Sequence, residues 1–377
     1  MAKFKKVLIE LLIWLTAGAL IGLIATWFGF GSGEAVEYYN GSNNIADAFL
    51  PLVIVFSSLL VGIFFHLIIH EVGHLIAGSM SGYGFVSFSI ANLTIANNDG
   101  KLVRKKNGIT FFGGQCLMSP PDVSDEQYRF PLTFYSLCGG FANIIFSILF
   151  LIIGLLTTGN VSIAFFVLAF IGIMLGLTNL IPLKMGGVAN DGMNLLICFK
   201  STESRRAFWI QLKVIAGLTK GVRLSDMSKV WFDDKGNPID DLTGFLSLLR
   251  CYYLMDTNKL EQARDYAKSA IENAGGMSEH NMNELRCEIL FTELVFDCRI
   301  DEVEKLYSEK LKEHIKVNTT SVGNWRLMYA YELLYTKDEV KANEALAQFE
   351  KLCLQTPFVG EVAGERELVE LVKQAAK

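Results

Sequence analysis

Four long apolar segments constrain this chain more than any other feature of its sequence. They extend from about Val7 to Phe30, Ala48 to Ala77, Phe134 to Thr157 and Ser162 to Pro182. A helix rises about 1.5 Å per residue, so each segment is long enough to cross a hydrocarbon core of about 30 Å. The sequence therefore predicts four membrane-spanning helices, the last two joined by a short turn around Gly159-Asn160.

The first apolar segment follows Lys3, Lys5 and Lys6 and therefore has two interpretations. A cleaved signal peptide carries an apolar region of about 7–15 residues and a small-x-small cleavage site, and neither feature fits here. We therefore predict an uncleaved anchor.

Charged residues predict the orientation of these spans. Basic residues cluster at 3–6, 101–106 and 184–206, whereas the two intervening loops contain no lysine or arginine. The positive-inside rule then places both termini in the cytoplasm, and we expect a bacterial plasma membrane. The net charge of −5 gives no sign of a nucleic-acid partner. The seven cysteines include no Cys-x-x-Cys pair, so we expect reduced thiols.

The segment between the second and third spans has strand periodicity. It alternates from Phe85 to Ile95, turns at Asn98-Asp99-Gly100 and resumes around Ile109–Phe112, between flanking glycines. This pattern predicts a β-hairpin, which could bind an extended peptide by strand addition or could only plug a site.

The last third of the chain is densely charged and has helical periodicity. Residues Ser204–Leu218 fit either a helix at the membrane interface or an ordinary linker helix. Three helical pairs follow, and they suggest either degenerate tetratricopeptide-like repeats or a compact bundle. Their expected ranges are Leu246–Met255 with Leu260–Glu272, Leu285–Phe296 with Val303–His314, and Trp325–Tyr335 with Val340–Leu352.

The second span carries the chemistry. His70-Glu71-Val72-Gly73-His74 places two imidazoles four residues apart, on one face of a helix, where one Zn²⁺ ion can bind both. Glu71 then lies beside the ion and can accept a proton from water. Because such polar residues are costly inside a membrane, they need a partner, and a metal supplies it.

A catalytic zinc ion usually has three protein ligands, so a third ligand should lie elsewhere in the chain. Asp191 is the candidate, since it follows the fourth span on the predicted cytoplasmic side. The alternative is that Asn190-Asp191-Gly192 is only a polar turn that caps the next helix. His66 lies one turn before His70, and we expect it to pack or to support a ligand, because a fourth ligand would close the site.

These motifs resemble those of the site-2-protease family of intramembrane zinc metalloproteases, over about residues 46–200. The resemblance implies that His70, His74 and Asp191 bind zinc and that Glu71 is the general base. Cys138-Gly139-Gly140-Phe141-Ala142-Asn143 matches an Asn-containing span of the family, with Gly140 where proline is usual. Asn179 and Pro182 match the start of its last motif, although their separation from Asp191 is longer than usual.

Asn143 and Asn179 could donate hydrogen bonds to the oxyanion or to the substrate backbone, or could only link helices. His280 and His314 are expected to be isolated and exposed to solvent.

The sequence thus predicts a mainly α membrane protein with four domains. They are an anchor and external loop (1–45), a metalloprotease core with a β-hairpin (46–200), an interfacial helix and linker (201–241) and a cytoplasmic helical domain (242–377). The expected function is hydrolysis of membrane-anchored proteins or peptide precursors near the cytoplasmic face, with a protein partner at the helical domain. The alternatives are a catalytically silent scaffold with a structural metal and a metal-ion transporter.

Overall fold

The structure is a computed structural model that describes residues 45–91, 93–98, 101–106, 113–185, 188–234 and 236–377. The predicted first span, most of its external loop and the strand expected at 109–112 lie outside these residues. The chain divides into two compact units. Among the described residues, the first unit contains 45–74 and 136–183, and the second contains those of 75–135 and 184–377.

Three long apolar helices supply the first unit. They are α1 (Ile45–Met80), α2 (Leu132–Leu156) and α3 (Gly159–Leu180), and each is long and apolar enough to cross a membrane. Large apolar side chains on these helices are exposed, among them Phe56, Val61, Ile145 and Leu156, as expected of a surface that faces lipid. Three of the four predicted spans are thus confirmed, and the chain is an integral membrane protein.

Small residues let the membrane helices approach closely. A Cβ atom on Gly73 of α1 would lie 2.5 Å from the carbonyl oxygen of Cys138 in α2. A Cβ atom on Gly176 of α3 would lie 3.0 Å from the carbonyl oxygen of Gly140 in α2. Glycine at these crossings is the usual means of bringing two backbones together in a membrane.

The segment predicted as a hairpin forms a four-stranded antiparallel sheet in the second unit. Its strands are β1 (Gly84–Ile90), β2 (Leu93–Asn98), β3 (Lys101–Lys106) and β4 (Gly114–Ser119), in the order β3-β2-β1-β4. Asn98 of β2 pairs with Lys101 of β3 in antiparallel register, as a hairpin in this segment requires, and residues 99 and 100 of the expected turn lie outside the described residues. The expectation of one strand from Phe85 to Ile95 is wrong, because Ala91 takes a φ of 48° and the chain reverses there.

Helix α5 of the second unit is covered by protein. A short β5–β6 pair (Lys184–Met185, Val188–Ala189) precedes α4 (Asp191–Lys200) and α5 (Thr202–Thr219). Phe208, Trp209 and Ile210 of α5 are buried, and the Trp209 indole Nε1 donates a hydrogen bond to the carbonyl of Pro121 at 2.9 Å. The apolar residues that suggested an interfacial helix therefore pack against other parts of the chain.

The C-terminal region is helical. Its helices, in chain order, are α6 (Asp241–Asp256), α7 (Leu260–Glu272), α8 (Glu279–Phe296), α9 (Ile300–Leu306), α10 (Glu309–Val317), α11 (Val322–Ala330), α12 (Glu339–Cys353) and α13 (Val362–Ala375). The prediction of one helix at Val303–His314 is wrong. The Ser308 side chain accepts a hydrogen bond from the amide of Leu311 and begins α10 as a new helix.

Candidate metal centre

The two histidines of the His-Glu-x-x-His motif lie on helix α1 of the first unit, and their side chains are close together. The Nε2 atoms of His70 and His74 lie 3.1 Å apart, and the ring centroids lie 4.7 Å apart. Two ligands bound at about 2.0 Å to a tetrahedral zinc ion lie about 3.3 Å from one another. The pair is therefore already spaced for a single ion, and imidazole nitrogen is a preferred zinc ligand.

Glu71 and His74 are largely buried, with 9% and 7% of their surfaces exposed. Glu71 directly follows His70 and precedes His74 by three residues on α1. A buried carboxylate on the same helix as the two imidazoles is a candidate for exchanging protons with a group bound near them.

Gly139 of α2 contributes space at this centre. A Cβ atom at this position would lie 2.5 Å from Nε2 of His74 and 2.8 Å from both Cε1 and Nε2 of His70. Gly139 belongs to the motif that ends at Asn143, but its sequence context predicted no role for it. The signal that could have identified it is a glycine four residues before Asn143, one turn along the helix that faces the histidines.

Asn143 connects His70 to His66. Its side-chain Nδ2 lies 3.3 Å from Nδ1 of His70, and its Oδ1 lies 3.3 Å from Nδ1 of His66. His66 is fully buried, and its Nε2 lies 3.1 Å from the carbonyl oxygen of Leu168 in α3. Asn143 and His66 thus link α2 and α3 to the first histidine of the motif.

The direction of these hydrogen bonds follows from the acceptor at their end. The carbonyl of Leu168 can only accept, so Nε2 of a neutral His66 carries the proton and its Nδ1 is an acceptor. The Asn143 amide, turned by 180° about its last torsion, satisfies both neighbours. Its Nδ2 then donates to His66, and its Oδ1 accepts from Nδ1 of His70. This arrangement leaves Nε2 of His70 without a proton, as a metal ligand requires.

The remaining predicted site residues lie at helix ends. Asp191, in the second unit, is the first residue of α4 and is half-buried. The side chain of Asn190 accepts a hydrogen bond from the amide of Met193 at 2.8 Å, so it caps this helix. In the first unit, Asn179 lies in the last turn of α3, and its Nδ2 donates to the carbonyl of Leu175 at 3.0 Å.

Comparison with known families gives one match. Residues 58–164 match the family model described as peptidase family M50. This range includes His70, Glu71, His74 and Asn143 and ends before Asn179 and Asp191. No curated protein and no solved structure matches the chain.

Proposed function

We propose that this chain, whose residues 58–164 match the model of peptidase family M50, is an intramembrane zinc metalloprotease of the site-2-protease family. It hydrolyses peptide bonds of membrane-anchored proteins or peptide precursors near the cytoplasmic face. The spacing of the His70 and His74 nitrogens, at 3.1 Å beside Glu71 on a membrane helix, is the observation that carries this proposal.

His70 and His74 hold the zinc ion, and Asp191 supplies the third protein ligand. Support for Asp191 comes from its place as the first residue of α4. The cap at this helix end fixes the backbone that carries the Asp191 carboxylate. When bound, the zinc ion supplies the Lewis acidity that lets water ionise near neutral pH.

Glu71 acts as the general base and then as the general acid. It takes a proton from the attacking water and returns it to the nitrogen of the leaving amine. Asn143 holds His70 in the orientation that exposes its Nε2 atom. Asn179 is the proposed donor to the substrate backbone or to the oxyanion, and Asn143 is the second candidate for that role.

The soluble part of the chain supports the reaction from the cytoplasm. We place the helical domain, residues 242–377, on the cytoplasmic side, where it binds a protein partner or recruits substrate. Strand β3 lies at one edge of the sheet, whose order is β3-β2-β1-β4. No described strand pairs with the outer side of β3. An extended substrate can pair there once its own helix has unwound.

The test compares wild type with Glu71→Gln in proteoliposomes that contain candidate membrane-anchored peptides. Zinc content and cleavage are measured on the same samples. We expect Glu71→Gln to keep its zinc and to lose cleavage by roughly 10²-fold or more. Glu126→Gln, an exposed acid in the loop before α2, serves as the matched control and should cleave like wild type.

Each other outcome contradicts the proposal in a recognisable way. Undiminished cleavage by Glu71→Gln would show that another base acts. Zinc bound by a wild type that cleaves none of the peptides would favour the silent scaffold. Zinc carried across the proteoliposome membrane would favour the transporter.

A further inference from the structure

A second cluster of metal-ligating side chains lies in the helical domain. His280 and Glu284 are one turn apart on α8, and His314 is on α10. One ligand atom from each of the three lies within 4.8 Å of the other two. The prediction that His280 and His314 are isolated is therefore wrong.

The two rings differ in their exposure. His280 is exposed, whereas the side chain of His314 is only 8% exposed. Their centroids are 5.3 Å apart, because α10 packs against α8 and brings together residues 34 positions apart in the chain. Neither residue belongs to the membrane centre described above.

We propose that His280, Glu284 and His314 bind a zinc ion that ties α10 to α8. Nε2 of His314 and Oε1 of Glu284 lie 2.8 Å apart and share a hydrogen bond. Two ligands of a tetrahedral zinc ion lie about 3.3 Å apart, so these atoms need to separate by only about half an ångström. The zinc ion replaces the ring proton at Nε2, which passes to water.

The surroundings orient the carboxylate for this role. The hydroxyl of Tyr252 on α6 donates to Oε2 of Glu284 at 3.3 Å, which leaves Oε1 directed at His314. A hydrogen bond to the outer oxygen of a carboxylate ligand is a common support for a bound metal. A hydrogen-bonded pair of His314 and Glu284 needs no third residue. The ring of His280 supplies the third ligand, at the exposed side of this pair. Three protein ligands leave the fourth position to water.

Bound zinc should therefore stabilise the helical domain. An ion that binds only the folded state lowers the population of the opened state by the factor 1 + [Zn²⁺]/Kd. At a free concentration about 100 times Kd, proteolysis of this domain should slow by about 100-fold.

The experiment uses the full chain in detergent, stripped of metal with a chelator and titrated with Zn²⁺. Wild type should bind two ions per chain, one at each centre, and His280→Gln should bind one. Because His280 is exposed, this substitution removes a ligand without disturbing the core. The adjacent Glu279→Gln removes an exposed carboxylate outside the cluster and is the matched control, which should still bind two.

His70→Gln separates the two centres, because it should lose the membrane ion and keep the second. The protection of the helical domain by Zn²⁺ against proteolysis should then persist in His70→Gln and disappear in His280→Gln. If His280→Gln matches wild type in both stoichiometry and protection, the inference is wrong. A wild type that binds one ion, lost in His70→Gln, overturns it equally and leaves the proposed peptidase intact.

Discussion

At the scale of single residues, Gly139 sets the room available to the histidines of α1. An alanine there would place its Cβ atom 2.5 Å from Nε2 of His74, closer than real contacts allow, so the imidazoles must move apart. We expect Gly139→Ala to lower zinc affinity and cleavage by roughly tenfold or more, as displaced ligand support does elsewhere. In the same helix, a Cβ atom at Gly154 would lie 3.0 Å from the ring of Phe166 and 3.5 Å from Cβ of Phe165, so Gly154→Ala should leave both quantities near wild type. Equal loss in the two variants would count against a local effect.

Asn143 is the second residue whose role can be tested alone. Asn143→Leu keeps a similar volume but removes the acceptor for His70, so zinc affinity should fall by about 10–100-fold. Zinc affinity and thermal stability are measured together, since a residue that only packs would change stability and spare affinity. Ser147→Ala, one turn later, removes a hydroxyl that bonds to the backbone of Asn143 and provides the comparison.

At the scale of elements, the cap of α4 controls the backbone at Asp191. Asn190→Ala removes the hydrogen bond to the amide of Met193 and should cost the helix about 1 kcal/mol. If Asp191 is the third ligand, zinc affinity and cleavage should fall together with the stability of this helix end. Asn190→Ser restores a cap and should recover most of both. An Asn190→Ala protein with unchanged zinc affinity would argue that the ligand does not depend on this helix end.

The elements also show how far sequence alone could lead. Three spans and the His-Glu-x-x-His helix were predictable because apolar length and a spacing of four are local signals. The reversal at Ala91 and the break at Ser308 were not predicted, since alternation continues through the first and helical periodicity through the second. Gly139, and the meeting of His280 with His314, depend on contacts between distant segments, which periodicity does not report.

At the scale of the whole molecule, the basic clusters predict which side of the membrane each loop occupies. In sealed spheroplasts, an epitope tag after Lys377 should resist external protease, and a tag inserted at Thr158, between α2 and α3, should be cut. Permeabilised cells, in which both tags are accessible, provide the control. Cleavage of the C-terminal tag in sealed spheroplasts would reverse the proposed orientation and would place the helical domain outside.

The stability of the helical domain should also depend on pH through a buried charge cluster. Arg326 contacts Glu288 at 2.7 Å and Glu365 at 2.9 Å, so two carboxylates share one guanidinium in the core. Burial, opposed by Arg326 and aided by Glu365, raises the pKa of Glu288 from 4.5 to about 7. Between these two values the folded state holds more protons than the unfolded state, so stability that is present below pH 4.5 is lost as the pH rises to about 7.

Glu288→Gln removes this titration while it keeps the shape of the side chain. Over that pH interval, the unfolding free energy of wild type should therefore fall by up to about 3 kcal/mol relative to that of the variant. Carboxylates such as Glu293, whose pKa lies below its usual range beside Arg299, act in both proteins and cancel from the comparison. Pulse proteolysis of the full chains in detergent, from pH 4.5 to 8, measures the difference. Parallel curves would mean that Glu288 stays ionised beside Arg326 throughout, and that the guanidinium outweighs the cost of burial.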